Sequence, residues 1–232
     1  MPRRIAIGDI HGCLKTFRGL VEDVIHLTQT DNLYLVGDFI DRGPDSKGVL
    51  DYLTQLTADG FHIESVRGNH EEMMLESAED ERFISGWVAN GAEKTILSFG
   101  LDIGFFLTSE TVLQIPEKYL EQIREIPYFI DLPDYIIVHA GINLSIPDPF
   151  SDTHAMIWSR EMQYDASIVN NKTIIHGHTP TSVEIIRQLA DTRKPGLLNI
   201  DGGCVYNHYP DLGNLVGLDM DTRELFVQKN IE

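Results

Sequence analysis

Short apolar runs alternate with amphipathic stretches along the first third of the chain. Ile5-Ala6-Ile7, Leu33-Tyr34-Leu35-Val36 and Phe61 to Val66 read as strands, and between the first two Leu14, Phe17, Leu20, Val21, Val24 and Ile25 recur at helical spacing. Ser46 is predicted to cap a second helix carrying Val49, Leu50, Leu53 and Leu56, with Pro44 stiffening the turn before it. A third helix starts around Met73-Met74-Leu75. From Phe83 to Leu113 the pattern is broken by Gly86, Gly91, Gly100 and Gly104, and this excursion between core elements is a candidate cover over a site. Pro116 opens a helix with Leu120, Ile123 and Ile126 on one face. Beyond it strands dominate: Tyr135 to Val138, Thr173 to Ile175, Leu197 to Ile200, Leu215 to Leu218 and Glu224 to Val227. Helices interleaved early and strands late predict an α/β sandwich of two mixed β-sheets flanked by helices, with the chemistry on loops at one edge.

Polar chemistry collects where the strands end. Gly8-Asp9-Ile10-His11-Gly12, Gly37-Asp38-Phe39-Ile40-Asp41-Arg42-Gly43 and Gly68-Asn69-His70-Glu71 each follow an apolar run, at equal intervals long enough for one helix and one return strand, so three strand ends can meet on one rim. Carboxylates and a guanidinium gathered there cost desolvation unless a metal and an anion compensate them. Asp9 and His11 lie two apart and point to one side of an extended segment. His139, in His139-Ala140-Gly141, and His178, in His176-Gly177-His178-Thr179-Pro180, also follow apolar strands. Oxygen and nitrogen donors without thiolate favour Mn, Fe or Zn over an all-oxygen calcium cage or a cysteine-rich structural zinc. The expectation is a dinuclear metal site in which Asp38 can bridge two ions. His26, His62, His154 and His208 have no such company and are expected to be structural.

Composition narrows the setting. A chain of 232 residues, 42% hydrophobic and without a compositional linker, is expected to form a single domain over 1–232. No apolar run is long enough to span a bilayer, no signal-like segment stands at the start, and a cytoplasmic protein with no membrane partner is expected. The net charge of -18 argues against nucleic acid as a partner, because a phosphate backbone needs many Lys and Arg on one face. Cys13 and Cys204 form no disulfide framework and are expected to be buried apolar residues. Cys13 and Arg18 are too close for a cysteine-phosphatase loop, Asp219-Met220-Asp221-Thr222-Arg223 departs from an aspartyl-phosphate motif, and Val49 stands where a Walker lysine belongs.

The three motifs resemble the signature of the phosphoprotein phosphatase family within the calcineurin-like metallophosphoesterases, closest to its small bacterial and phage serine/threonine phosphatases, and the likeness spans nearly the whole chain. The resemblance implies two divalent ions, manganese foremost with Fe or Zn possible substitutes, held by Asp9 and His11, bridged by Asp38, and held on the far side by Asn69, His139 and His178. It places Arg42, and with it Arg160 of Trp158-Ser159-Arg160, on the substrate phosphate. A hydroxide between the ions would attack in line, and His70, oriented by Asp41, would protonate the leaving group. The chain departs from the wider superfamily in having Pro180 where a second histidine ligand often stands, so His178 is taken as the ligand and His176 as its neighbour. The expected activity is a serine/threonine protein phosphatase, with phosphotyrosine tolerated, acting as a monomer on a phosphorylated protein or peptide. The alternatives are a symmetrical dinucleoside tetraphosphate hydrolase, whose second motif lacks an acid at the Asp41 position, and a catalytically silent scaffold.

Overall fold

The computed structural model describes residues 2–102 and 108–232. Strand β1 (Arg4–Ile7) leads into helix α1 (Leu14–Arg18), which continues as a π-helical turn over Gly19–Val24 before β2 (Asn32–Leu35). Helix α2 (Ser46–Ala58), β3 (His62–Ser65) and α3 (Asn69–Glu79) follow, then the short helices α4 (Ile84–Ala89), α5 (Ala92–Ser98), α6 (Ser109–Val112) and α7 (Glu117–Arg124). The remainder comprises β4 (Phe129–Asp131), β5 (Tyr135–Val138), α8 (Thr153–Trp158), β6 (Thr173–His176), α9 (Val183–Asp191), β7 (Leu197–Asn199), β8 (Asn214–Asp219) and β9 (Leu225–Lys229).

Two mixed sheets result, as the pattern predicts. One has the order β3-β2-β1-β8-β9, with β1, β2 and β3 parallel and β8 and β9 antiparallel; the other has the order β4-β5-β6-β7, with β5, β6 and β7 parallel. Alternation along the strands sorts the core. Ala6, Tyr34, Val36, Val66, Val216 and Leu218 face Ile137, Ile175 and Leu198 of the second sheet. Ile5, Ile7, Leu33 and Leu35 face the opposite way, against α1, α2, α3, α5 and α7. Ile136, Val138 and Ile174 pack on Met156 and Ile157 of α8. Cys13 and Cys204 are both buried with free thiols, as expected. Among the described residues no helix is long and apolar enough to cross a membrane.

Four details depart from the pattern. The cap of α2 is Asp45, whose side chain accepts from the Gly48 amide at 2.8 Å; Ser46 is the first helical residue, and its buried hydroxyl turns instead to Asp41. Helical spacing from Leu14 to Ile25 holds only to Arg18, after which the wider turn closes with Ile25 N donating to Leu20 O at 2.9 Å. The late part of the chain is less purely β than its apolar runs suggest, because α8 and α9 intervene. The glycine-broken stretch after Phe83 is in part helical: α4 and α5 bury Trp87, Ala92, Thr95 and Ile96 and form a buttress behind the second motif. Gly104 lies outside the described residues.

Candidate metal centre

Every sequence-nominated donor stands just beyond the C-terminal end of a parallel strand. Asp9 and His11 follow β1, Asp38 follows β2, Asn69 opens α3 after β3, His139 follows β5 and His178 follows β6. The first two loops are stitched together, with the amides of Ile10 and His11 both donating to the Asp38 carbonyl, at 3.1 and 2.8 Å. His11, Asp38, Asp41, Arg42 and His178 all have left-handed backbones, with φ between 49° and 70°. Side chains held that way cost free energy and persist only where surrounding bonds fix them.

Glu71 supplies much of that fixing. Its buried carboxylate accepts from the amides of Asp38 at 2.9 Å, Phe39 at 2.8 Å and Gly68 at 2.9 Å, tying the second loop to the start of α3. Burial, and next the Asp38 charge, push its pKa up to about 7. Gly68 is required by close approach: a Cβ there would overlap Asp38 Oδ1.

The donors converge on Asp38 Oδ2, which lies 3.5 Å from His11 Nε2, 3.4 Å from His139 Nε2 and 3.9 Å from His70 Nε2. Asn69 Oδ1 lies 3.0 Å from His139 Nε2 and 3.1 Å from His178 Nδ1, and those two ring nitrogens are 3.2 Å apart. Two clusters of donor atoms share Asp38, one with His11 and His70 and one with His139 and His178. Their ring orientations are fixed from behind, since His11 Nδ1 sits 2.9 Å from the Ile40 carbonyl and His139 Nδ1 2.8 Å from the Val36 carbonyl, which leaves each Nε2 facing the centre. Asp9 is outside both clusters: its Oδ2 accepts from the His178 amide at 3.0 Å, while its Oδ1 is buried without a partner among the described residues, as are His70 Nε2 and His178 Nε2.

The electrostatics call for positive charge. Burial, and then the Asp201 charge, raise Asp9 well above the usual carboxylate range. Burial also opposes ionisation of Asp38, but the charges of His139 and His70 overcome it and hold Asp38 low; in turn burial lowers His139 while Asp38 outweighs it and lifts the imidazole to about 10. Burial, followed by the charge on His139, drops His178 to about 3. A focus of facing acceptors, with orphaned buried donor atoms around it and a carboxylate in the middle, fits a pair of divalent cations.

Beside this focus, His70 Nδ1 lies 2.7 Å from Asp41 Oδ2. Asp41 also accepts from Trp87 Nε1 at 2.7 Å and Thr95 Oγ1 at 2.5 Å, and its amide donates to Ser46 Oγ at 3.0 Å. All of these groups are buried. Arg42 brings Nη1 to 2.7 Å from His11 Nε2, and its guanidinium lies over the Tyr206 ring. Arg160 is exposed just beyond α8, on the rim of a cavity of about 570 Å³ that also meets His176, Thr179 and Asn199. His176 joins neither donor cluster, and burial lowers it to about 4.

Sequence reasoning assigned no role to Glu71, Trp87, Thr95 or Asp201. Asp201, 2% exposed and raised by burial to about 6, could have been found, because Leu197 to Ile200 followed by Asp201-Gly202-Gly203 again sets an acid and a glycine at the end of an apolar strand, in the reverse of the glycine-acid order of the first two motifs. Trp87 and Thr95 carry no local signal.

Comparison with known proteins agrees with this geometry. Residues 2–198 match the calcineurin-like phosphoesterase family. The chain is 30% identical over 182 residues to serine/threonine-protein phosphatase 1 of Salmonella typhimurium, covering 75% of this chain and 77% of that one. It is 27% identical over 245 residues to the asymmetrical bis(5'-nucleosyl)-tetraphosphatase PrpE of Anoxybacillus flavithermus, covering 89% and 90%. Likeness to the symmetrical bis(5'-nucleosyl)-tetraphosphatase of Nitrosospira multiformis, 31% over 140 residues, covers 59% of this chain and only 42% of that one. Among solved structures, a protein serine/threonine phosphatase of Saccharomyces cerevisiae with similarity to human phosphatase PP5 shares the fold over the whole chain and 81% of its own, with a TM-score of 0.61 and 15% identity. The chain belongs to the calcineurin-like phosphoesterases, within their phosphoprotein phosphatase family.

Proposed function

We propose that this protein is a metal-dependent phosphomonoester hydrolase acting on phosphorylated serine or threonine in proteins. The observation that carries the reading is the buried Asp41–His70 pair, a carboxylate and imidazole at 2.7 Å whose remaining ring nitrogen stands beside Asp38 in the donor cluster it shares with His11. Asp9 and His11 would hold one ion, Asn69, His139 and His178 the other, with Asp38 between, and manganese suits this donor set. When bound, such a pair polarises a phosphoryl oxygen and lowers the pKa of water into the neutral range. The remaining work falls to side chains. Arg42 and Arg160 grip the equatorial phosphate oxygens, where a guanidinium fork matches the developing charge. His70, held through Nδ1 by Asp41, delivers a proton from Nε2 to the departing serine or threonine oxygen.

A second reading, cleavage of a dinucleoside tetraphosphate, is favoured by the extent of the PrpE likeness and by a groove of about 530 Å³ beside Arg42, lined by Asn90, Gly91, Tyr206 and His208. The two separate on one Mn-loaded preparation with a chelated control. Phosphate release from a phosphothreonine peptide is expected to exceed nucleotide release from diadenosine tetraphosphate in kcat/KM by about tenfold or more. The reverse preference overturns the proposal.

A further inference from the structure

At the edge of the first sheet, along the strand whose C-terminal end leads into Asn69, β3 has no strand on its outer side among the described residues. Backbone direction alternates along it: Val66 N donates inward to Leu35 O at 3.0 Å, and Arg67 N donates outward to Pro127 O at 2.8 Å. Ile63 and Ser65 therefore aim their amides and carbonyls outward with Arg67, and among the described residues no strand meets them. The Arg67–Pro127 bond is already the first rung of an added strand. Alongside it lies a cavity of about 760 Å³ between α2, β3 and α7, floored by Leu50, Leu53, Ile63 and Tyr119.

The rim of this groove is acidic. Glu64, Glu121 and Glu125 are exposed, and none is in an ion pair among the described residues; Lys118 is the one basic side chain lining the groove. An unpaired edge, an apolar floor and a carboxylate rim match one kind of occupant. We propose that β3 and this groove dock an extended segment of a partner polypeptide, with apolar side chains at alternate positions filling the floor and Lys or Arg side chains reaching the glutamates of its rim. A second copy of this chain fits poorly, because β3 against β3 would bring Glu64 towards Glu64 between molecules that each carry a net charge of -18. The proposal is independent of the substrate cleaved at the metal centre.

The test measures fluorescence anisotropy of a capped octapeptide of alternating Lys and Val, and of the same peptide N-methylated at alternate residues, against the full chain. The N-methylated peptide keeps composition and charge but loses the amide donors a strand needs. Wild type is expected to bind the first peptide about tenfold more tightly than the second, with amide-exchange protection appearing at Ile63 and Ser65. The double variant Glu121→Lys, Glu125→Lys, on the exposed face of α7 and at its C-terminal cap, is expected to weaken binding about tenfold while hydrolysis of p-nitrophenyl phosphate stays unchanged. No binding of the first peptide, equal binding of the two peptides, or full affinity in the charge-reversed variant each overturns the proposal.

Discussion

A proton on His70 has one nitrogen to leave from, because Asp41 holds the other. Asp41 is itself held by Trp87, Thr95 and Ser46, so the imidazole cannot turn without breaking a buried network. His70→Asn is expected to lower kcat on a phosphoserine peptide by about 100-fold or more, and to lower it less on an aryl phosphate whose leaving group needs no proton. Metal content of that variant, measured by elemental analysis, is expected to match wild type; loss of an ion would make His70 a ligand, which its place beside His11 and Asp38 also permits. Glu71 acts through the backbone, and Glu71→Ala would leave three buried amides unpaired. Destabilisation of about 3 kcal/mol or more in urea unfolding is expected, with weakened metal binding. The donors Asp9, His11, Asp38, Asn69, His139 and His178 were legible in sequence because each interrupts an apolar strand with a group that water would otherwise claim. Trp87 and Thr95 were not, because their partner Asp41 is about fifty residues distant and nothing local marks them.

Among elements, the parallel strands do the positioning, and their turns leave almost no room. Gly177 lies against Asp9, where a Cβ would overlap Oδ1, the oxygen without a hydrogen-bond partner among the described residues. Gly177→Ala is therefore expected to lower metal affinity about tenfold or more while the fold survives, as read by metal titration alongside circular dichroism. Normal affinity would mean that the β6 turn relaxes without moving Asp9. The strands β1 and β2 could be read from short apolar runs ending in glycine, and β3, β5 and β6 from runs that reach a glycine two or three residues further on. The π-helical turn after α1 could not, since Leu20, Val21 and Ile25 bury equally well at either spacing. Helices α4 and α5 escaped because glycines punctuate a segment whose structure depends on burying Trp87 and Ile96.

For the whole molecule, stability in acid turns on groups outside the site as well. Burial would raise Asp31, but hydrogen bonds from Arg3 and Thr28 overcome it and hold the carboxyl at about 2, below its ordinary 3.8. A depressed carboxyl stabilises the fold above its unfolded value and loses that contribution as pH falls towards its folded one. Asp31→Asn is expected to cost about 1–2 kcal/mol at pH 7, with the gap to wild type in urea unfolding narrowing as pH drops from about 4 to 2. A constant gap would trace the loss to packing instead. The two sheets are joined by the shared core and by the bonds that carry His139 and His178 to Asn69 and Asp9, so the centre exists only when both sheets are assembled. That makes ion count the most direct test of the account. Elemental analysis and electron paramagnetic resonance of the Mn-loaded protein are expected to give two ions per chain, magnetically coupled through Asp38, with the coupling lost in Asp38→Asn. A single ion per chain, or two that do not sense one another, would contradict a shared centre.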